Sequence, residues 1–375
     1  MKIAVNTRML LKNRMEGIGG YAHEVLRRLV EQHPEDEFIF FFDRPFDPVF
    51  CYGKNVTPVV LFPPARHPIL FICWFEWSLA NALEKWKPDV FLSPDNFLSL
   101  RTGIRTVLVT HDLAPAHYPG QLTCSQRWYY QFFLPKFNRR ATNIIAVSDY
   151  TKSDIIRRYD IPPERIVVAG NGCRDIFVPL EGARQQEIRE QFAAGQPYFF
   201  YAGAVHPRKN VHRLIEAFSQ FKQATASPAK LLVAGRFAWK PGAVKAALEN
   251  SGFRQDIHLL GYVEDEVLAA LMASALACTY VSLFEGFGVP VLEAMHCEVP
   301  VITSNASALP EVAGPAALLV NPESVPDIAA AMQQLWERQD LGKQLVEQGR
   351  QQRACFSWEK TASIVYDTLL QAARD

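Results

Sequence analysis

The sequence predicts an α/β chain made of two doubly wound parallel sheets that face a central cleft. Short apolar runs alternate with amphipathic helical stretches from the first residues onward, and the alternation starts again near residue 198. The length, 375 residues, suits two domains of ordinary size.

In the first half, Ile3–Val5 reads as a buried strand, followed by a loop from Asn6 to Gly20. A helix is expected from about Tyr21 to Glu31, with Val25, Leu26, Leu29 and Val30 on one face and Glu24, Arg27 and Arg28 on the other. Phe38–Phe42 is the next strand and ends at Asp43. Strands at 57–61, 89–92, 105–110 and 143–147 follow, with helices between them that include 69–86 and 122–141. In the second half, strands are expected at 198–201, 230–234, 257–260, 276–284, 300–303 and 317–320. The helices there are 211–223, 241–250, 265–273, 290–296 and 325–338. The two halves meet around Pro179–Gly195. Helices 341–353 and 358–373 come last, and Ile364, Val365, Leu369 and Leu370 suit the final one to pack back on the first domain. The expected domains are therefore 1–178 and 179–355, with 356–375 as a returning helix.

Hydrophobic residues make up 49% and charged residues 21%, a globular composition. The formal net charge is zero, which argues against a polyanion-binding surface and so against a nucleic-acid partner. The seven cysteines lack C-x-x-C or paired spacing, which suggests free thiols in a reducing compartment and no zinc site. Met1 runs directly into a strand, so no secretory leader is expected, and no apolar run reaches the roughly 18 residues of a spanning helix. A cytoplasmic location is the expectation.

The chemistry centres on Val281–Glu293. An apolar run from Ala275 to Phe284 reads as a buried strand, then Glu285, Gly286, Phe287 and Gly288 turn into a helix that Pro290 can open. Glycines let backbone approach a ligand, and the free N–H groups of a helix start attract anions, phosphate above all. Glu285 and Glu293 do not suit phosphate, so they point to a hydroxyl-rich group attached to it. The plain alternative for Glu293 is complementing the helix dipole.

A second basic loop, His206-Pro-Arg-Lys-Asn210, lies between a strand and a helix. Arg208 and Lys209 can together neutralise a diphosphate, although surface Arg-Lys pairs are common. Gly17-Ile-Gly-Gly-Tyr-Ala22 fits a dinucleotide-binding glycine pattern, but it comes too long after the first strand to form the tight turn that pattern needs. It reads better as a glycine loop that can cover a ligand. His111 and Asp112 end a strand, where they can bond substrate or move a proton. There is no Asp-x-Asp, no G-x-S-x-G and no phosphate loop of the NTPase type. A metal-bridged diphosphate is therefore not expected, and no cofactor is called for.

These residues resemble the retaining glycosyltransferases of family 4, which have the GT-B fold. Glu285-Gly-Phe-Gly-Val-Pro-Val-Leu-Glu293 is similar to their E-x7-E motif. The segment from Gly203 to Phe218 is similar to their diphosphate-binding stretch. Ser148 with Thr151–Asp154, Asn171-Gly172, and Thr303–Asn305 through Leu309–Gly314 match as well, so the resemblance covers nearly the whole chain. It implies that Glu293 holds the donor ribose, that Glu285 lies beside the donor sugar, and that Arg208 and Lys209 bind the diphosphate. Backbone at Gly203, Gly286, Phe287, Gly288 and Val289 would line the donor. Gly19 and Gly20 would approach the diphosphate and acceptor, His111 the sugar, and Tyr262 and Val263 the nucleobase. The implied activity is metal-independent transfer of a hexose from a UDP- or GDP-sugar, with retention. The acceptor would be a saccharide or lipid-linked saccharide in surface polysaccharide synthesis.

The sequence departs from the family at Ala204, where many members carry arginine, at Glu298, where glycine is usual, and in the loop Phe237–Ala243. Three rival readings remain: a nucleotide-cofactor oxidoreductase, a non-catalytic nucleotide-sugar-binding subunit, and a nucleotide-sugar epimerase. The aromatic stretches Pro68–Trp77 and Trp128–Lys136 with Arg139-Arg140 suit peripheral contact at the inner face of a membrane, or a core helix face.

Overall fold

The computed structural model describes residues 1–12, 17–236 and 242–374. The chain divides into two compact units, Met1–Asn171 with Ser357–Asp375, and Gly172–Phe356.

In the first unit the described strands are β1 (Lys2–Asn6), β2 (Glu37–Phe42), β3 (Val56–Val60), β4 (Val90–Ser93), β5 (Thr106–Thr110), β6 (Asn143–Ala146) and β7 (Ile166–Val168). They form one sheet in the order β3-β2-β1-β4-β5-β6-β7, every pair parallel. The second unit holds β8 (Tyr198–Ala202), β9 (Lys230–Ala234), β10 (Ile257–Gly261), β11 (Ala277–Tyr280), β12 (Val301–Ser304) and β13 (Ala317–Val320). Their order is β10-β9-β8-β11-β12-β13, again all parallel. Helices cover both faces of such sheets, so inner strands are apolar throughout; Phe38–Phe41 and Tyr198–Tyr201 are completely buried. Strand order reverses between β1 and β4 and between β8 and β11. Carboxyl ends diverge there, leaving the crevice in which open α/β sheets bind ligands.

Several elements differ from the sequence expectation. The apolar run 275–284 is a strand only over Ala277–Tyr280. Beyond it the backbone leaves the ladder, and the Leu283 N–H donates to the Arg208 carbonyl at 2.9 Å. Val281 and Phe284 stay buried in that loop, so hydrophobicity outlasts the strand. The stretch 69–86 is three segments, Pro68–Cys73, a π-helical turn at Trp74–Leu79, and Ala80–Trp86. Within that turn the buried Glu76 carboxylate accepts the Leu100 N–H at 2.9 Å. The first long helix begins at Ile18, placing Gly19 and Gly20 in its opening turn; residues 13–16 of the preceding loop lie outside the described residues. In the loop Phe237–Ala243, residues 237–241 lie outside them too, and a helix starts at Gly242. Helix Asp149–Tyr159, capped by Ser148, and the three-residue β7 were not read from the sequence.

The units divide at Asn171/Gly172, not at 178/179. Arg174 is why: its guanidinium pairs with Asp265 at 2.8 Å, which ties the segment to the second unit. Helix Gly182–Ala193, in the expected junction, belongs to that unit as well, with Arg189 donating to the Ser274 carbonyl at 3.1 Å.

Helix Trp358–Arg374 is part of the first unit. It buries Ala362, Val365, Leu369 and Ala372. Glu359 pairs with Arg28 at 2.8 Å, and the Tyr366 hydroxyl donates to Asp36 at 2.7 Å. Glu298 has φ 58°, which explains why glycine suits that position in the family it resembles. Its carboxylate pairs with Arg350 at 2.5 Å.

Helix Cys124–Arg140 sends Tyr129, Phe133, Leu134 and Phe137 into the first unit's core. Trp128 and Phe132 are 56% and 45% exposed, their rings parallel at 5.8 Å. One face of this aromatic stretch is thus core and another is surface. No helix among the described residues is long and apolar enough to cross a membrane.

Candidate active site

The second sheet reverses its strand order between β8 and β11, and the loops leaving those two strands meet there. After β8, Gly203 adopts φ 143°. A Cβ added to Gly235, at the end of β9, would lie 1.9 Å from the Gly203 carbonyl oxygen. Two backbones therefore touch where side chains would not fit. The chain then makes a short turn at Pro207–Lys209, capped by the His206 ring, which accepts the Arg208 N–H at 3.4 Å. Asn210 is completely buried with φ 63°, and its amide donates to the carbonyls of Val281 (3.0 Å) and Pro322 (2.6 Å). These bonds fix the basic turn against the loop after β11.

Glu285 is the centre of the constellation and only 7% exposed. Lys209 Nζ lies 2.6 Å from its Oε1, and Arg208 Nη1 lies 3.0 Å from its Oε2. The Tyr280 hydroxyl donates to Oε1 at 3.0 Å and accepts from Lys209 at 2.7 Å. Arg208 also donates to the Phe284 carbonyl. Tyr280 stacks on Tyr201 at 5.8 Å, and both rings are buried. The Glu285 N–H donates to the Ser307 hydroxyl at 2.9 Å, which fixes the backbone behind the carboxylate. Burial alone would raise this carboxyl, but Lys209 and Arg208 outweigh it and hold it at about 2.

The helix Val289–His296 starts from Gly288 at φ 107°, with Pro290 in its first turn. A Cβ on Gly288 would fall 2.5 Å from a Leu309 methyl carbon. Phe287 is buried with its ring edge-on to Phe356 at 5.4 Å. Gly286 and Val289 complete the turn. Glu293, on the same helix, is 5% exposed. Its paired cation is Arg174, with Nη2 3.6 Å from Oε1. Burial pushes the Glu293 carboxyl up to about 7, with Arg174 opposing. The two glutamates are chemically distinct: Glu285 is held charged by two cations and a hydroxyl, while Glu293 is loosely paired with Arg174. Tyr262 follows β10; its ring is half exposed and 5.3 Å from the Arg236 guanidinium, with Val263 beside it.

The structure thus groups Gly203, Arg208, Lys209, Glu285, Gly286, Phe287, Gly288, Val289 and Glu293 along one carboxyl edge, with Tyr262 and Val263 at the end of β10 on that edge. Sequence reasoning missed Tyr201, Tyr280, Ser307 and Arg174. Tyrosines ending two buried strands were the available signal for the first pair.

His111, Gly19 and Gly20 belong to the first unit. The His111 ring Nε2 bonds the Pro94 carbonyl at 2.8 Å, which requires the proton on Nε2 and leaves Nδ1 as the acceptor. Burial lowers the pKa of this histidine, so the ring is neutral. The His111 backbone N–H donates to the Asn96 side-chain oxygen at 2.7 Å, and Tyr21 meets the ring edge-on at 4.9 Å. The Asp112 carboxylate accepts the Ala114 N–H at 2.9 Å and caps the turn that follows. β1 ends at Asn6 while the helix starts at Ile18, so the glycines do not sit in the tight strand-to-helix turn of a dinucleotide site. His117 pairs with Asp154 at 2.7 Å.

Residues 15–175 match the family model described as Glycosyltransferase Family 4, and residues 184–352 match the one described as Glycosyl transferases group 1. O-antigen chain mannosyltransferase B of Escherichia coli is 30% identical over 370 residues, which span 96% of this chain and 97% of the relative. The chain belongs to glycosyltransferase family 4. Solved structures agree on the fold of this glycosyltransferase. WaaG, a glycosyltransferase involved in lipopolysaccharide biosynthesis, matches with a TM-score of 0.78 at 16% identity, over 98% of this chain and 99% of that one. The sucrose-phosphate synthase of Thermosynechococcus elongatus matches with 0.79 at 18% identity, over 99% and 100%. The family 4 transferase therefore has the GT-B architecture of two Rossmann-like domains.

Proposed function

We propose that this glycosyltransferase moves a hexose from a UDP- or GDP-linked donor to a hydroxyl of a saccharide or lipid-linked saccharide, with retained anomeric configuration. The carrying observation is Glu285, buried between Lys209 and Arg208 where the second sheet reverses its strand order. Arg208 and Lys209 bring two cations together at one point of the carboxyl edge, where a diphosphate would need them. The helix start at Gly288–Val289 adds N–H donors beside them. Glu285 then meets the donor sugar, and Glu293, loosely paired with Arg174, accepts the ribose hydroxyls. In the first unit, His111 Nδ1 is left as a hydrogen-bond acceptor for a hydroxyl.

In the step itself the bond from the sugar's anomeric carbon to the diphosphate oxygen breaks. The acceptor oxygen bonds that carbon on the same face, and its proton goes to the departing phosphate oxygen. Lys209 and Arg208 stabilise the charge that develops on the diphosphate. Transfer by this account needs no divalent metal and no cofactor, and it should persist in EDTA. Loss of turnover in EDTA that Mg²⁺ restores would sink the metal-free route.

Mannose is the first sugar to test, since the E. coli relative is named a mannosyltransferase of O-antigen chains, and surface polysaccharide assembly is the matching process. The decisive experiment screens UDP, GDP and ADP by thermal unfolding, then the matching sugar nucleotides for transfer. One nucleotide at about 100 times its Kd should add about 2.7 kcal/mol of stability. No shift with any of the three, together with no donor hydrolysis, overturns the reading.

A further inference from the structure

Arg174 lies just past the boundary between the units, and no motif singled it out. Its guanidinium bridges two carboxylates, with Nη1 2.8 Å from Asp265 Oδ2 and Nη2 3.6 Å from Glu293 Oε1. The Phe177 ring flanks it at 5.1 Å. Asp265 is half exposed and opens the helix Asp265–Ala273, so the guanidinium is anchored from the solvent side and presents its inner edge to the buried carboxylate. We propose that Arg174 is a positioning residue that orients the Glu293 carboxyl toward the donor's ribose.

The argument is one of geometry and charge. An ionised carboxylate offers both oxygens as acceptors to two neighbouring hydroxyls, whereas the protonated acid turns one of them into an O–H donor. The charged groups facing Glu293 are few. Arg174 is the one cation paired with it among the described residues, and Asp265 adds a negative charge behind that cation. The thiols of Cys173, Cys278 and Cys297 also feel Glu293; burial and that carboxylate raise all three, so they stay neutral. Burial opposes ionisation of Glu293 and Arg174 favours it. At 3.6 Å the pair is looser than the contacts that hold Glu285, so a hydroxyl can compete for the carboxylate. Removing the cation leaves burial unopposed, and the carboxyl takes up a proton at a higher pH.

The inference rests on Glu293 being the ribose anchor, and the test separates the two. UDP and GDP, with their 2′-deoxy forms, are titrated calorimetrically into wild type, Arg174→Ala, Arg174→Lys and Glu293→Gln from pH 5.5 to 9. In wild type the ribonucleotide binds more tightly than its deoxy form, and Glu293→Gln erases the difference. If Glu293→Gln leaves it intact, or neither nucleotide binds, the ribose reading fails and the inference with it. If the ribose reading holds, Arg174→Ala should move the acid limb of affinity up by about one pH unit, a loss of about fivefold near pH 7 that approaches about tenfold at pH 6 and disappears at pH 9. Arg174→Lys should restore most of the wild-type profile. An Arg174→Ala loss that is equal at every pH, or no loss at all, overturns the positioning role.

Discussion

Glu285→Gln and Lys209→Met each lower the rate of sugar transfer by about 10²- to 10³-fold, while both variants stay folded. The two are expected to fail differently. Lys209 Nζ sits 2.6 Å from Glu285 and 2.7 Å from the Tyr280 hydroxyl, so its loss removes one of two cations from the departing diphosphate. Nucleoside diphosphate affinity falls along with the rate. Glu285→Gln keeps the shape but releases both cations from their internal partner. Affinity for free UDP or GDP should then hold or improve while transfer is lost. Complete removal of a buried ionic partner costs about 3–5 kcal/mol. In Lys209→Met the carboxylate still has Arg208 at 3.0 Å, so the fold survives. Thermal unfolding checks the fold, calorimetry the affinity, and initial rates the chemistry. Near wild-type turnover in either variant would remove that residue from the reacting centre.

Gly235→Ala should be the most damaging single methyl in the second unit. Its Cβ would fall 1.9 Å from the Gly203 carbonyl oxygen and 2.5 Å from the carbon bearing it, and φ at Gly235 is 146°. Both atoms are backbone at the head of the basic turn, so no side chain can move aside. Strain and overpacking together give a loss of about 2–5 kcal/mol. In a unit of this size that is a fall in Tm of roughly 5–15 °C. Gly252→Ala is the control: nothing lies within 4 Å of the added methyl, and a change within about 0.5 kcal/mol is expected. Equal melting temperatures for the two variants would refute the backbone contact. Since Gly203 leads into Arg208 and Lys209, any Gly235→Ala protein that folds should also bind nucleotide more weakly.

The alternation of strands and helices was legible because parallel strands covered on both faces are continuous apolar runs. Phe38–Phe42 and Tyr198–Tyr201 could be little else. The same rule overextended β11, since Val281 and Phe284 are buried without pairing. It also passed over helix Asp149–Tyr159, whose surface is largely polar and whose start is marked only by the Ser148 cap. The π-helical turn at Trp74–Leu79 leaves no mark in an apolar helical stretch, because what it serves is Glu76 reaching the Leu100 N–H. In the candidate site, Arg208, Lys209 and Glu285 were visible as charges in the loops after strands, and Glu293 as a carboxylate in the following helix. Arg174 was not, since a lone arginine carries no periodicity and its partners lie far along the chain.

The last helix, Trp358–Arg374, fills out the first unit with Val365 and Leu369 and takes the Arg28 salt bridge. During synthesis, then, the amino-terminal sheet waits. Everything from Gly172 to Phe356 emerges from the ribosome before the piece that covers helix Ile18–Gln32, and the second unit has all of its own sequence first. The half made first is the half finished last, and a nascent chain stalled before Ser357 would present a folded carboxyl half beside an uncovered amino half.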